Sequence, residues 1–262
     1  MLTRSRAPRI LAHVVAVLWL STAARAQDVR VMTSGAFTEA CTRLAPAFEQ
    51  ATGHHIVLIF GASMGSGVDT IPSRLSRHEA ADVVILARSS LDELAARGFV
   101  IPESRVDLVR SRIGMAVRTG APRPDISSVD ALRQAVLRAK SIGYSSSASG
   151  VYLTTELFPR LGIADQIKSR LTMSEGSVGT LIAAGDVEIG FQQISELLPV
   201  PGIDYVGPLP SEAQRETIFA AGIVEWSSAR DLAHRVLEFF TSSTNGEAIR
   251  KTGLEPVATT KR

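Results

Sequence analysis

Short continuous apolar runs alternate along this chain with stretches whose apolar residues recur every three or four positions. Residues 28–33 predict a strand. Ala40, Leu44, Ala47, Phe48 and Ala51 then keep helical spacing, which predicts a helix over 36–52 that Gly53 ends. The run 55–60 is almost wholly apolar, the pattern of a parallel strand buried on both faces. A helix over 68–76, a strand over 82–86 and a helix capped by Ser89 and ended by Gly98 complete the first hundred residues. Strand and helix alternate throughout, so the expected class is α/β, with a mostly parallel sheet flanked by helices.

Residues 113–118 read as an extended crossing segment, and a second α/β series follows the Pro-rich loop 120–124. It comprises a helix from Ser127-Ser128 to Ala139, a strand over 141–144, a helix through Phe158, a helix over 177–184 and strands over 187–193 and 203–206. Residues 217–224 are apolar and read as crossing back. A helix from Ser227-Ser228 to Phe240 carries Leu232, Val236, Phe239 and Phe240 as one core stripe, and a last helix covers 245–251. The expected organisation is a first lobe over 27–112, a second over 113–214 and a return to the first over 215–262.

The first 26 residues read as an export signal rather than fold. Arg4, Arg6 and Arg9 precede an apolar run of about a dozen residues, too short for a comfortable span, and Ala24-Arg25-Ala26 supplies small residues for cleavage after Ala26. The expected compartment is the periplasm. The signal holds four of the 28 basic residues and none of the 26 acidic ones, so the formal charge of +2 becomes −2 after cleavage. The remaining Arg residues are scattered, which argues against a nucleic-acid partner. Cys41 is the single cysteine, so no internal disulfide forms, and its place in the first helix's apolar pattern reads as a small buried hydrophobe.

Three turns carry the candidate chemistry: Thr33-Ser34-Gly35, the stretch 61–67 with Ser63, and the stretch 145–150 with Ser149-Gly150. Each follows an apolar run and precedes a helical stretch. Free N–H groups at a helix start, hydroxyl donors and the close approach that Gly permits would together bind an anion with little need for Lys or Arg. Open α/β sheets bind ligands at the carboxyl ends of their strands, where all three turns fall. No GxGxxG, GxxxxGK[ST] or GxSxG occurs, and His54 and His55 are adjacent, so as strand neighbours they could not chelate together. His78 and His234 read as solvated helix residues. No metal or other cofactor is expected.

The order of Val31-Met32-Thr33-Ser34-Gly35-Ala36, Phe60-Gly61-Ala62-Ser63, Ala81-Asp82-Val83-Val84-Ile85-Leu86-Ala87 and Ala148-Ser149-Gly150-Val151-Tyr152 resembles the periplasmic molybdate-binding proteins of ABC importers, type II solute-binding proteins. The resemblance covers nearly the whole mature chain. It implies two α/β lobes joined by two crossing segments, a small anion held between them, an importer permease as partner and a monomeric state. Ser34, Gly35, Ser63, Ser149, Gly150, Ser177 and Gln193 are the expected ligand donors. Three positions depart from the pattern. Ala36 stands where the family places a serine, Gln193 where it places a tyrosine, and Ser149-Gly150 replaces Pro-Ala-Gly. An amide suits a carboxylate, and Arg88 just past the third strand could reach a second one bidentately. The same fold hosts the periplasmic aconitate isomerases, whose allylic proton shift in a tricarboxylate needs a positioned base. Glu175, Glu196 and Tyr144 are the candidates.

Overall fold

The computed structural model describes residues 26–65 and 67–257; the expected export signal over 1–26 lies, but for Ala26, outside the described residues. Two sheets form two lobes. The strands of the first are β1 (Asp28–Thr33), β2 (His55–Phe60), β3 (Val83–Ala87), β4 (Val106–Ser111), β10 (Thr217–Ile223) and β11 (Glu255–Pro256), in the order β11-β4-β10-β3-β1-β2. β1 runs parallel to β2 and β3, while β10 is antiparallel to β3 and β4. The second sheet holds β5 (Ile113–Arg118), β6 (Ile142–Ser145), β7 (Leu171–Ser174), β8 (Ile189–Gln193) and β9 (Ile203–Pro208), in the order β7-β6-β8-β5-β9. Here β6 is parallel to β7 and β8, and β5 is antiparallel to β8 and β9.

Helices α1 (Gly35–Thr52), α2 (Ile71–Ser76), α3 (Arg88–Ala96), α10 (Arg230–Thr241) and α11 (Gly246–Arg250) accompany the first sheet. Helices α4 (Val129–Arg138), α5 (Ala148–Tyr152), α6 (Phe158–Arg160), α7 (Ala164–Ile167), α8 (Val178–Ala184) and α9 (Ile194–Leu197) accompany the second. α1 forms because its apolar stripe, from Phe37 and Ala40 to Leu44 and Phe48, can be buried whole. The edge of Phe37 meets Phe240 of α10 at 5.5 Å. Gly53 ends α1 in the left-handed region at φ 71°, where its N–H reaches the Glu49 carbonyl. The Cys41 thiol is fully buried there, and burial pushes its pKa up.

Four readings are corrected. Residues 113–118 and 217–224 do not cross between lobes; they are β5 and β10, interior strands of their sheets. Their apolar runs answer to cover on both faces. The chain passes between sheets at Arg112 alone and again over 209–216. β2, expected inside its sheet, is an edge strand, with Val57 and Phe60 exposed. Ser89 lies inside the first turn of α3, which begins at Arg88, and α10 begins at Arg230 with Ala229 before it. His78 is not within a helix: it follows α2 at φ 54°, its ring 4.7 Å from Trp226.

The sequence pattern missed β4, α7 and β11, and two further short elements near the cleft. β7 is an exposed edge strand, Leu-Thr-Met-Ser, with no apolar run, and α9 is a single turn.

Candidate functional site

The carboxyl ends of β1, β2, β6, β7 and β8 face a cleft of about 620 Å³. A cleft of this size has room for an organic ligand of many atoms. The first lobe contributes the N-terminus of α1 at Gly35 and the loop after β2. The second contributes the turn Ser145–Ser147, Met173 to Ser177, Gln192 and the α9 residues Ser195 and Glu196. α9 belongs by sequence to the second lobe yet packs on α1: Ser195 Oγ donates to the Ala36 carbonyl at 2.8 Å.

That packing sets the chemistry of Glu196. Its carboxyl lies so close to Gly35 that a Cβ there would overlap Glu196 Oε1. Gly35 is the first residue of an 18-residue helix, whose leading N–H groups have no intrahelical partner. Gln192 Nε2 donates to Glu196 Oε1 at 2.9 Å, and Gln192 Oε1 accepts from Val178 N at 2.8 Å. One amide thus ties the carboxyl to the start of α8. Burial pushes the Glu196 carboxyl up, the Gln192 side chain and the Gln193 backbone pull it partly back, and the balance falls at about 7. A carboxyl poised there can both take and give a proton at neutral pH.

Of the expected donors, the structure brings Gly35 and Ser177 to the cleft. Ser34 and Ser177 stand just before α1 and α8, and their buried hydroxyls have no hydrogen-bond partner among the described residues. The others are turned to structural tasks. Ser63 Oγ is buried and accepts from Ala87 N at 2.9 Å. Ser149 Oγ pairs with Ser145 Oγ at 2.9 Å, and a Cβ on Gly150 would overlap the Ser145 carbonyl. Arg88 is half exposed and pairs with Asp107 at 3.0 Å. Gln193 lies at the lobe crossing: its Oε1 accepts from Ser111 Oγ at 2.8 Å and its Nε2 donates to Thr217 Oγ1 at 3.4 Å. Its neighbour Gln192 faces the cleft. β8 is buried along its whole length, so no alternation in the sequence marks which glutamine points where. Of the base candidates, Glu175 and Glu196 line the cleft, and Tyr144 is not among the lining residues.

The described lining holds the carboxyls of Glu39, Asp69, Glu175 and Glu196 and no Lys, Arg or His. Glu39 is neutralised by Arg43 at 2.6 Å, and Asp69 and Glu175 sit exposed. Glu196 is the acid at the foot of α1, and beside these carboxyls the cleft offers an anion backbone N–H groups, hydroxyls and amides.

Residues 29–255 match a family described as bacterial extracellular solute-binding proteins. A protein named aconitate isomerase, from a Pseudomonas species, is 44% identical over 228 residues, 87% of each chain. The molybdate-binding protein of Azotobacter vinelandii is 25% identical over 182 residues, 68% of this chain and 69% of its own. A solved structure of the A. vinelandii periplasmic molybdate-binding protein superposes with a TM-score of 0.70 at 19% identity, covering 86% of this chain and 98% of that one.

Proposed function

The chain belongs to the bacterial extracellular solute-binding proteins, in their molybdate-binding-like group, and on that premise we propose that it isomerises a small unsaturated polycarboxylate, aconitate, held between its lobes in the periplasm. The observation that carries this reading is the Glu196 carboxyl, raised to about 7, on the cleft floor against the N-terminus of α1. The 44% identity with a protein named for this activity supports it.

Glu196 in its carboxylate form takes a proton from the substrate methylene. The electron pair left behind spreads through the adjacent double bond and its conjugated carboxylate. Glu196 then returns the same proton to the formerly vinylic carbon, and the double bond stands one position along. One group serves both ends because both carbons lie on one face of a single allyl unit. Gln192 holds Oε1 in place, and the α1 N-terminus with the unpartnered Ser177 hydroxyl offers dipoles to the growing enolate charge.

The test is to incubate the purified protein separately with cis- and trans-aconitate and follow both by NMR. The isomerase reading expects both to drift to one mixture. A second reading, a receptor that captures an anion for an ABC importer, draws on the family match and the molybdate-binding relative. It expects tight binding of a carboxylate or oxyanion in titration calorimetry and no conversion.

A further inference from the structure

Large apolar side chains are costly to leave in water, so where they stand exposed is informative. Three of the six most exposed in the described chain line this one cleft: Phe60 at 53%, Met173 at 54% and Val68 at 72%. Their placement is matched between lobes. Phe60 ends β2, the edge strand of the first sheet, beside Thr33 of β1. Met173 is the penultimate residue of β7, the edge strand of the second, beside Tyr144 of β6. Val68 extends the first lip in the loop after β2. Each lobe thus presents an apolar lip, with Glu196 on the floor they share.

From this geometry we infer that Phe60, Val68 and Met173 are the positioning residues of the isomerisation: they close on the carbon skeleton of the substrate and keep water from Glu196 while it carries the proton. The inference rests on the isomerase reading. An inorganic oxyanion offers these side chains nothing to pack on, whereas the flat, conjugated skeleton of an unsaturated acid matches a ring and a thioether. A proton held on Glu196 in an open cleft exchanges with solvent before it returns; behind a seal it goes back to the substrate.

The experiment follows cis-aconitate in D2O by NMR and compares deuterium entering at the acceptor carbon with conversion, in the first turnovers. Wild type is expected to deliver mostly protium. F60A and M173A are expected to raise the exchange-to-conversion ratio about fivefold or more and to weaken substrate about tenfold, while F60L restores both. A role in folding alone would leave the ratio unmoved. Unchanged ratios in the variants, or a wild-type product already fully deuterated, overturn the seal and leave the isomerase reading standing. A wild type that converts nothing overturns both.

Discussion

The two lobes carry the same device, a serine-bearing turn at the carboxyl end of a parallel strand, and use it differently. In the first lobe Ser63 faces inward and holds Ala87 N, so that lobe offers the cleft the start of α1 at Gly35, the Gly61 backbone and the apolar side chains of Phe60 and Val68. In the second, Ser145 and Ser149 satisfy each other, and what reaches the cleft is side-chain chemistry: Gln192, Ser177 and the titrating Glu196. The first lobe is built to receive charge and the second to move a proton. Turns that look alike in sequence differ because strand packing, not composition, decides which hydroxyl is free.

The division can be broken hardest in the second lobe. Removing the carboxylate with E196Q is expected to lower kcat by about 10²–10⁴ with little change in substrate affinity, measured by steady-state kinetics and calorimetry. Next comes the first lobe's part in the same contact. In G35A a methyl group takes the space of Glu196 Oε1 and displaces the carboxyl, with an expected loss of about 10² in kcat and a lesser change in stability. If G35A is as active as wild type, the first lobe does not place the proton carrier.

Gln192 sharpens the comparison. Its amide donates to the charged form of Glu196, so Q192L should raise that pKa further. The limb of kcat/KM that rises with pH should move upward, at a cost of roughly tenfold at pH 7. A profile lower at every pH but unmoved along the pH axis would mean that Gln192 serves packing alone.

The remaining effect is on stability. Glu196 titrates at about 7 in the folded chain and near 4.3 when unfolded. Its contribution is therefore present below about pH 4 and lost as pH rises through 7. E196Q removes that loss, so its stability relative to wild type should improve by about 2.5 kcal/mol between pH 5 and pH 8. Urea unfolding at the two values checks this.

Much of the fold was legible because α1, α4 and α10 each bury one apolar face, and burial on one face writes period into sequence. The failures have physical causes. β5 and β10 were read as crossing segments because a run covered on both faces has no period to show its role. β2 shares that appearance although it lies on an edge, because its exposed Val57 and Phe60 are as apolar as a core. At the site, the Ser34, Gly35 and Ser177 positions were legible from their place before helices. Gln192 against Gln193 was not, since β8 is covered on both faces. Glu196 could be named as an acid near the second lobe's end. Its raised pKa was beyond reach, because it depends on the α9–α1 contact, which joins residues some 160 positions apart.

The isomerisation turns on one proton, which can be followed directly. E196Q and wild type, each saturated with cis-aconitate in D2O, are compared by NMR over many turnovers of the wild type. Wild type is expected to form the trans isomer and slowly take up deuterium, while E196Q binds the ligand and leaves it unconverted and unlabelled. Conversion by E196Q at a rate near that of wild type would contradict the assignment of Glu196 as the proton carrier.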